Sequence, residues 1–332
     1  MTRPSTQERS RVDLAGSGAE GRAALYAATS RSLQAEPREL PAVWLYDERG
    51  SRLYEEITRL PEYYLPRREN EILRARASEI ARLTQASTLA ELGAGSAHNT
   101  RLILDVLGAT VERFVPLDVS AKTLKASAET IAAAYPRLAV QAIVGDFERD
   151  LDLLPRGGRR LIAFLGSTIG NLYPDQRAKL LAALAAELSP RDSLLLGIDL
   201  VKDATRLRAA YNDPQGVTEG FVRNALTAVN RELEATFDQR QFEYEARWDP
   251  DHEWMDIGLR ARKEHSVSVG QLGLELTFER AEPLRVEISS KFRRERFEHE
   301  VAGAGLRVES WWTDDAGDFA VALVVRDPIA GS

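Results

Sequence analysis

The sequence has no cysteine in its 332 residues. That excludes disulfides, a thiol nucleophile and a thiolate-ligated metal. Histidine is also scarce. His98, His252, His265 and His299 show no metal-ligand spacing, so no metal is expected. There is no surplus of basic charge. A net charge of −7 argues against a nucleic-acid partner, because phosphates call for a basic surface. No apolar run approaches the roughly 20 residues of a membrane span, so no membrane partner is expected. Met1 to Gly21 lacks the apolar core of a signal peptide, which points to a cytoplasmic protein.

What is present is punctuated in a recognisable order. Residues 1–20 are rich in Ser, Gly, Thr and charge and read as a mobile arm. Residues 21–87 read as mainly helical, with Gly50-Ser51 marking a helix start and two prolines, Pro61 and Pro66, interrupting. From 88 to 200, short apolar runs alternate with helical patterns: Leu89–Leu92, Phe114–Leu117, Ala139–Val144, Leu161–Leu165 and Leu194–Leu200. Such alternation predicts an α/β core whose parallel sheet is covered on both faces. Residues 201–292 break the pattern, with helices first and then half-buried, antiparallel strands. They read as an α+β insertion that joins the helices of 21–87 in a second domain. Residues 293–332 read as a helix and a closing hairpin that complete the core sheet.

The candidate ligand loop is Glu91-Leu-Gly93-Ala-Gly95, at the end of the first core strand. Glycines let the backbone turn tightly and approach a ligand closely. A dinucleotide fingerprint would need glycine where His98 stands, so a pyrophosphate is poorly served. An acid followed by G-x-G suits a ligand without phosphates. Asp118 ends the next strand as an acceptor for a ribose diol. Asp146 and Phe147 end the third, as an acceptor for an adenine amine and a stacking ring. The competing reading is that strand-end acids simply cap the next helices.

Longer strings carry a family resemblance. They are Tyr46-Asp-Glu-Arg-Gly-Ser51, Ile57-Thr-Arg-Leu-Pro-Glu-Tyr-Tyr64, Phe164-Leu-Gly-Ser-Thr-Ile-Gly-Asn-Leu172, Gly197-Ile-Asp-Leu-Val-Lys-Asp203, Ser289-Ser-Lys-Phe292 and Trp311-Trp-Thr-Asp314. From about residue 30 to 327 the chain resembles the bacterial L-histidine Nα-methyltransferases of ergothioneine biosynthesis, which make hercynine. The resemblance implies a class I, Rossmann-like methyltransferase sheet with a second, amino-acid-binding domain. It implies S-adenosylmethionine as cofactor, held by Gly93, Gly95, Asn99, Asp118, Asp146 and Phe147. Tyr63, Asn171 and Tyr211 would surround the carboxylate and amine of the amino acid. Tyr46 and Gly166 would lie close to the amine, with Tyr63 and Tyr46 as the catalytic candidates. Glu287 and Ser289 would read the imidazole. Ile257 would also line the site, where relatives commonly carry methionine, and Gly258 stands where tryptophan is common. If 258 faces the site, the site is roomier; if it faces away, the change is repacking.

The chemistry of these residues agrees with such roles. Asn and Tyr offer neutral donors to a carboxylate, and Glu287 offers a charge-assisted acceptor to an imidazole N–H. Methyl transfer from a sulfonium needs no protein nucleophile, only alignment of nitrogen, methyl and sulfur. The expected partner is one small amino acid, and a monomer is expected. Two other readings remain: the same chemistry on another aromatic amino acid, and a non-catalytic scaffold.

Overall fold

The computed structural model describes residues 13–16, 18–95, 98–108 and 110–328. Two compact units divide the chain. One takes its described residues from Met1–Ser17, Leu65–Val201 and Phe292–Ser332; the other is Gly18–Tyr64 with Lys202–Lys291.

The first unit is built on an eight-stranded sheet. Its order is Asp13–Gly16, Ala139–Val144, Arg113–Asp118, Thr88–Leu92, Arg160–Phe164, Ser193–Asp199, Phe319–Arg326 and Leu306–Thr313. The first six strands run parallel, and the last two pair antiparallel as a hairpin. Every residue of Thr88–Leu92, Arg160–Phe164 and Ser193–Asp199 is buried, as expected of strands covered on both faces. Thr88–Leu92 is central: the two strands that follow it lie on one side, and Arg160–Phe164 lies on the other. That is the topological switch point of an open α/β sheet, beyond whose carboxyl edge ligands bind. Gly93 to Gly95 leaves the sheet there.

The second unit carries a four-stranded sheet in the order Arg38–Glu39, Pro283–Ser290, Trp254–Ala261 and Phe242–Asp249. A two-stranded sheet, His265–Val269 with Leu274–Phe278, stands apart from it. The helices Gly18–Leu33, Glu48–Ile57, Ala204–Tyr211 and Val217–Leu233 belong to this unit.

Three local features differ from the sequence-based expectation. The helix Leu65–Thr84 falls in the first unit, not with residues 21–64. Its apolar stripe of Ile72, Leu73, Ala77 and Ile80 is buried, and the helix packs on the strand Phe319–Arg326. Residues 13–16 form an edge strand beside Ala139–Val144, while the rest of the predicted arm up to residue 12 and residue 17 lies outside the described residues. The helix signalled by Gly50-Ser51 begins earlier, at Glu48, because Asp47 is its N-cap and accepts the Gly50 N–H at 2.8 Å. Gly50 itself sits in the first turn, where a Cβ would stand 1.7 Å from the Leu45 carbonyl oxygen.

Candidate active site

In the first unit the loop after Thr88–Leu92 is tied to the neighbouring strand ends. The N–H of Gly93 donates to the Leu117 carbonyl at 2.8 Å. Gly93 has φ +65° and Gly95 φ +48°, the left-handed region that favours glycine. The Gly95 N–H donates to Asp118 Oδ2 at 2.9 Å, and the Ser120 N–H donates to Oδ1 at 2.8 Å. Burial holds the Asp118 carboxyl above its ordinary value, and these two amides offset only part of that rise. A Cβ on Gly93 would stand 4.0 Å from Phe147 Cε1, and one on Gly95 would meet no atom of the described residues within 4 Å. The Phe147 ring and the Asp118 carboxylate flank the loop. A carboxylate acceptor beside an aromatic ring suits a neutral nucleoside. Phe147 is held against Phe164, with ring centroids 4.9 Å apart. Gly93, Gly95, Asp118 and Phe147 are thus brought together.

Asp146 is engaged locally. It accepts the Glu148 N–H at 2.9 Å and pairs with Arg149 at 3.3 Å, closing the turn that follows the strand. Asn99 lies in the helix His98–Leu107, but its side chain lies outside the described residues.

Two buried carboxyls lie under this edge. Glu91 accepts from the Thr100 hydroxyl, and burial raises its carboxyl to about 8, with Glu69 and Asp118 adding to the rise. Glu69, on the helix Leu65–Thr84, accepts the Gly166 N–H at 2.8 Å. Gly197 makes room for it: a Cβ there would lie 2.0 Å from Glu69 Oε1. Glu69 thereby secures the turn at Gly166, φ +69°, which leads into the 3-10 helix Thr168–Asn171. Gly166 and Asn171 are the members of the predicted amino-acid set that fall in the first unit.

The rest of that set falls in the second unit: Tyr46, Tyr63, Tyr211, Ile257, Glu287 and Ser289. Tyr46 ends a 3-10 helix beside the Asp47 cap, and its ring meets Tyr54 and Phe221 at 5.8 and 5.6 Å. Asp47 also accepts from Asn224 Nδ2 at 2.7 Å and pairs with Arg231 at 3.1 Å, which fixes the chain at this point. The rings of Tyr63 and Tyr211 meet edge-on at 5.9 Å. Burial, with Tyr54, Tyr211, Tyr46 and Glu287 nearby, holds the Tyr63 hydroxyl well above the ordinary tyrosine value. Tyr63 is therefore a neutral hydrogen-bonding group and not a phenolate base. Tyr211 and Ser289 are hydrogen-bonded at 2.8 Å.

Glu287 and Ser289 owe their direction to a β-bulge. Strand Pro283–Ser290 pairs with Trp254–Ala261, and the register shifts between Arg285 and Glu287. An unbroken ladder from Leu284↔Leu259 would set Val286 opposite Ile257 and turn Glu287 to the other face. The extra residue instead sets Glu287 opposite Ile257 and Ser289 opposite Met255. Ile257, Glu287 and Ser289 consequently share one face. Gly258 points to the other face, with Asp256 and Arg285, which pair at 2.8 Å. A Cβ on Gly258 would stand 2.5 Å from the Leu284 carbonyl oxygen and 3.0 Å from Arg285 Cα. Gly258 thus permits close backbone approach at the bulge and adds no room beside Glu287.

Burial raises the Glu287 carboxyl to about 7, and Lys291 draws it down. Sequence reasoning passed over three residues of these clusters. Lys291 and Glu69 are buried charged side chains, at 1% and 0% exposure, and Gly197 stands against Glu69. Lys291 and Gly197 both stood inside quoted motif strings, which was the available signal; Glu69 had none.

Comparison with known proteins shows the family. The profile of the family described as histidine-specific methyltransferase, SAM-dependent, matches residues 25–326. The chain is 51% identical over 296 residues to a histidine N-alpha-methyltransferase of Mycobacterium tuberculosis, covering 89% of this chain and 92% of that one. It is 50% identical to its namesake in Mycolicibacterium smegmatis, with the same coverage. An L-tryptophan methyltransferase of Psilocybe serbica is 26% identical, covering 86% and 87% of the two chains. Among solved structures, the glycopeptide N-methyltransferase MtfA complexed with S-adenosylmethionine aligns over 76% of this chain and 93% of its own, at 17% identity and a TM-score of 0.42. With its parallel sheet, glycine loop and motif strings, the chain belongs to the histidine-specific, S-adenosylmethionine-dependent methyltransferase family.

Proposed function

We propose that the protein methylates the α-amine of free L-histidine, three times in turn, to give the trimethylated betaine hercynine. The observation that carries this reading is the bulge that turns Glu287 and Ser289 to one buried face. An imidazole offers one N–H and one bare nitrogen, and a carboxylate beside a hydroxyl is the matching pair. Two relatives about 50% identical carry the histidine name.

The residues divide the work. Gly93, Gly95, Asp118 and Phe147 would hold the nucleoside part of the cofactor, with Asp146 and Asn99 as further contacts. When bound, the cofactor supplies an electrophilic methyl on a sulfonium. Asn171, Tyr63 and Tyr211 would anchor the carboxylate and amine. Tyr46 and Gly166 would border the amine. The amine attacks through its lone pair, so it must be neutral at each transfer. After each of the first two transfers the alkylated nitrogen gives a proton to water, and the third product has none to lose. Tyr63, held neutral by burial, orients the amine without removing its proton. The amine loses donors as methyls accumulate, so alignment rests increasingly on the carboxylate and ring contacts.

Incubation with S-adenosylmethionine and each of the twenty amino acids, read by mass spectrometry, tests this. Trimethylhistidine as the main product is expected. A preference for tryptophan or tyrosine would move the reading to another aromatic substrate, and no product from any amino acid would move it to a scaffold.

A further inference from the structure

Lys291 has no role in the scheme above, yet it is 1% exposed and lies at the centre of the ring-reading cluster. Its Nζ donates to Ser289 Oγ at 2.7 Å and to the Tyr211 hydroxyl at 2.8 Å. It also stands 4.7 Å from the centroid of the Tyr211 ring. The two oxygens it bridges are themselves 2.8 Å apart. Its backbone N–H donates to the Glu253 carbonyl at 2.7 Å, which holds the residue at the strand's end.

This triangle constrains the polarity of both hydroxyls. An ammonium has donors and no lone pair. Each oxygen that takes a proton from Lys291 has one fewer lone pair for a ligand. Each hydroxyl carries one proton, and at most one of the two protons lies along the Tyr211–Ser289 contact. At least one therefore points away from the triangle. In the arrangement in which Tyr211 donates along that contact, Ser289 Oγ accepts from both Lys291 and Tyr211 and its own proton is the one that points away, so a ring nitrogen there meets a donor and a second N–H would face a proton instead of a lone pair.

Resting on the histidine reading, we propose that Lys291 is a specificity-determining positioning residue: by occupying lone pairs of Ser289 and Tyr211 it leaves the Ser289 proton for the ligand, so the site takes the histidine ring as neutral imidazole. Glu287 then accepts from the ring's single N–H, and Ser289 donates to its bare nitrogen. Histidine presents both features. Tryptophan presents an indole N–H and no acceptor, so it leaves the Ser289 proton unsatisfied; tyrosine's hydroxyl would have to meet both partners from a single atom, where histidine meets them from two separate ring nitrogens. Among the described residues, further polar and titratable groups around the cluster include Tyr63, with Tyr54 and Tyr46 acting on it, and Tyr244, whose hydroxyl donates to the Tyr211 carbonyl and on which Asp213 and Glu219 act.

The test is ¹⁵N NMR of ring-labelled L-histidine bound to the full-length protein with S-adenosylhomocysteine at pH 6, where the free ring is largely protonated, its ordinary pKa being about 6.5. In the wild-type protein the expected spectrum has one N–H nitrogen and one bare nitrogen. In Lys291→Met the bare-nitrogen resonance is expected to be lost, replaced by two N–H nitrogens, because Ser289 can then accept. Two N–H nitrogens in the wild type would overturn the proposal, and so would a neutral ring in a folded Lys291→Met protein. If that variant does not fold, the wild-type spectrum still decides. Failure of the wild-type protein to bind or methylate histidine would instead overturn the histidine reading itself.

Discussion

The loop Glu91–Gly95 and the strand Pro283–Ser290 each hold a carboxyl above the ordinary carboxylate range, Glu91 buried and Glu287 partly buried, and they get there by different routes. Glu91 reaches about 8 with only the Thr100 hydroxyl to lower it and two other carboxylates to raise it. Glu287 reaches about 7 with the Lys291 ammonium nearby. The first is placed by contiguous sequence, since a strand end and a glycine turn follow each other in the chain. The second is placed by register, through an extra residue in one strand and a glycine on the facing one. The difference teaches that in this molecule the cofactor side is written locally, whereas the amino-acid side depends on how two strands are paired.

The largest expected effect comes from removing the register-placed acceptor. Glu287→Ala deletes a charge-assisted hydrogen bond worth about 1.5–3 kcal/mol, a factor of roughly 10 to 150 in binding. The histidine KM should rise by that factor, while the affinity for S-adenosylhomocysteine, measured calorimetrically, stays within about twofold. Equal losses in both would break the comparison, because Glu287 would then serve the whole fold.

A smaller effect is expected from the glycine that faces the bulge. Gly258→Ala puts a Cβ 2.5 Å from the Leu284 carbonyl, so the two backbones must separate. Overpacking of this kind costs about 1–3 kcal/mol. Urea denaturation should show that loss, and the histidine KM should rise as Glu287 and Ser289 are re-aimed. A stable variant with an unchanged KM would show that the bulge does not depend on this glycine.

The same contrast explains what was legible in the sequence. The five core strands, the closing hairpin and the meeting of the glycine loop with Asp118 through Gly95 follow from apolar runs and strand-end acids that each lie in one short window. The direction of Glu287 does not. Leu284, Val286 and Ile288 alternate with Arg285 and Glu287, and period two puts a glutamate at 287 on the face away from Val286; only the bulge turns it. Lys291 was hidden for a related reason. A lone lysine after two serines reads as a solvated strand end until its partner Tyr211, 80 residues away, is seen beside it. Asp47 was passed over as a cap because Gly50-Ser51 is also a start signal, and the cap's other partners, Asn224 and Arg231, are distant in sequence.

The smallest expected effect sharpens the cofactor side of the comparison. Glu91 has a folded value of about 8 against an ordinary 4.5, so between these values the folded state holds a proton that the unfolded state releases. Stability attributable to this group is present in full below the ordinary value and is lost as pH rises through about 8. From pH 7 to 8 the proton is still held about three-quarters of the time on average, which amounts to a loss of about 1 kcal/mol. Glu91→Gln removes that titration while keeping an acceptor for Thr100. Its stability relative to the wild type, measured by urea denaturation without cofactor, should therefore improve by about 1 kcal/mol between pH 7 and 8. Glu287→Gln should gain from the same ordinary value upward but level off near pH 7, about one unit before Glu91→Gln does. If the two gains instead levelled off at the same pH, Lys291 would not be lowering Glu287, and the electrostatic difference between the two sides would disappear.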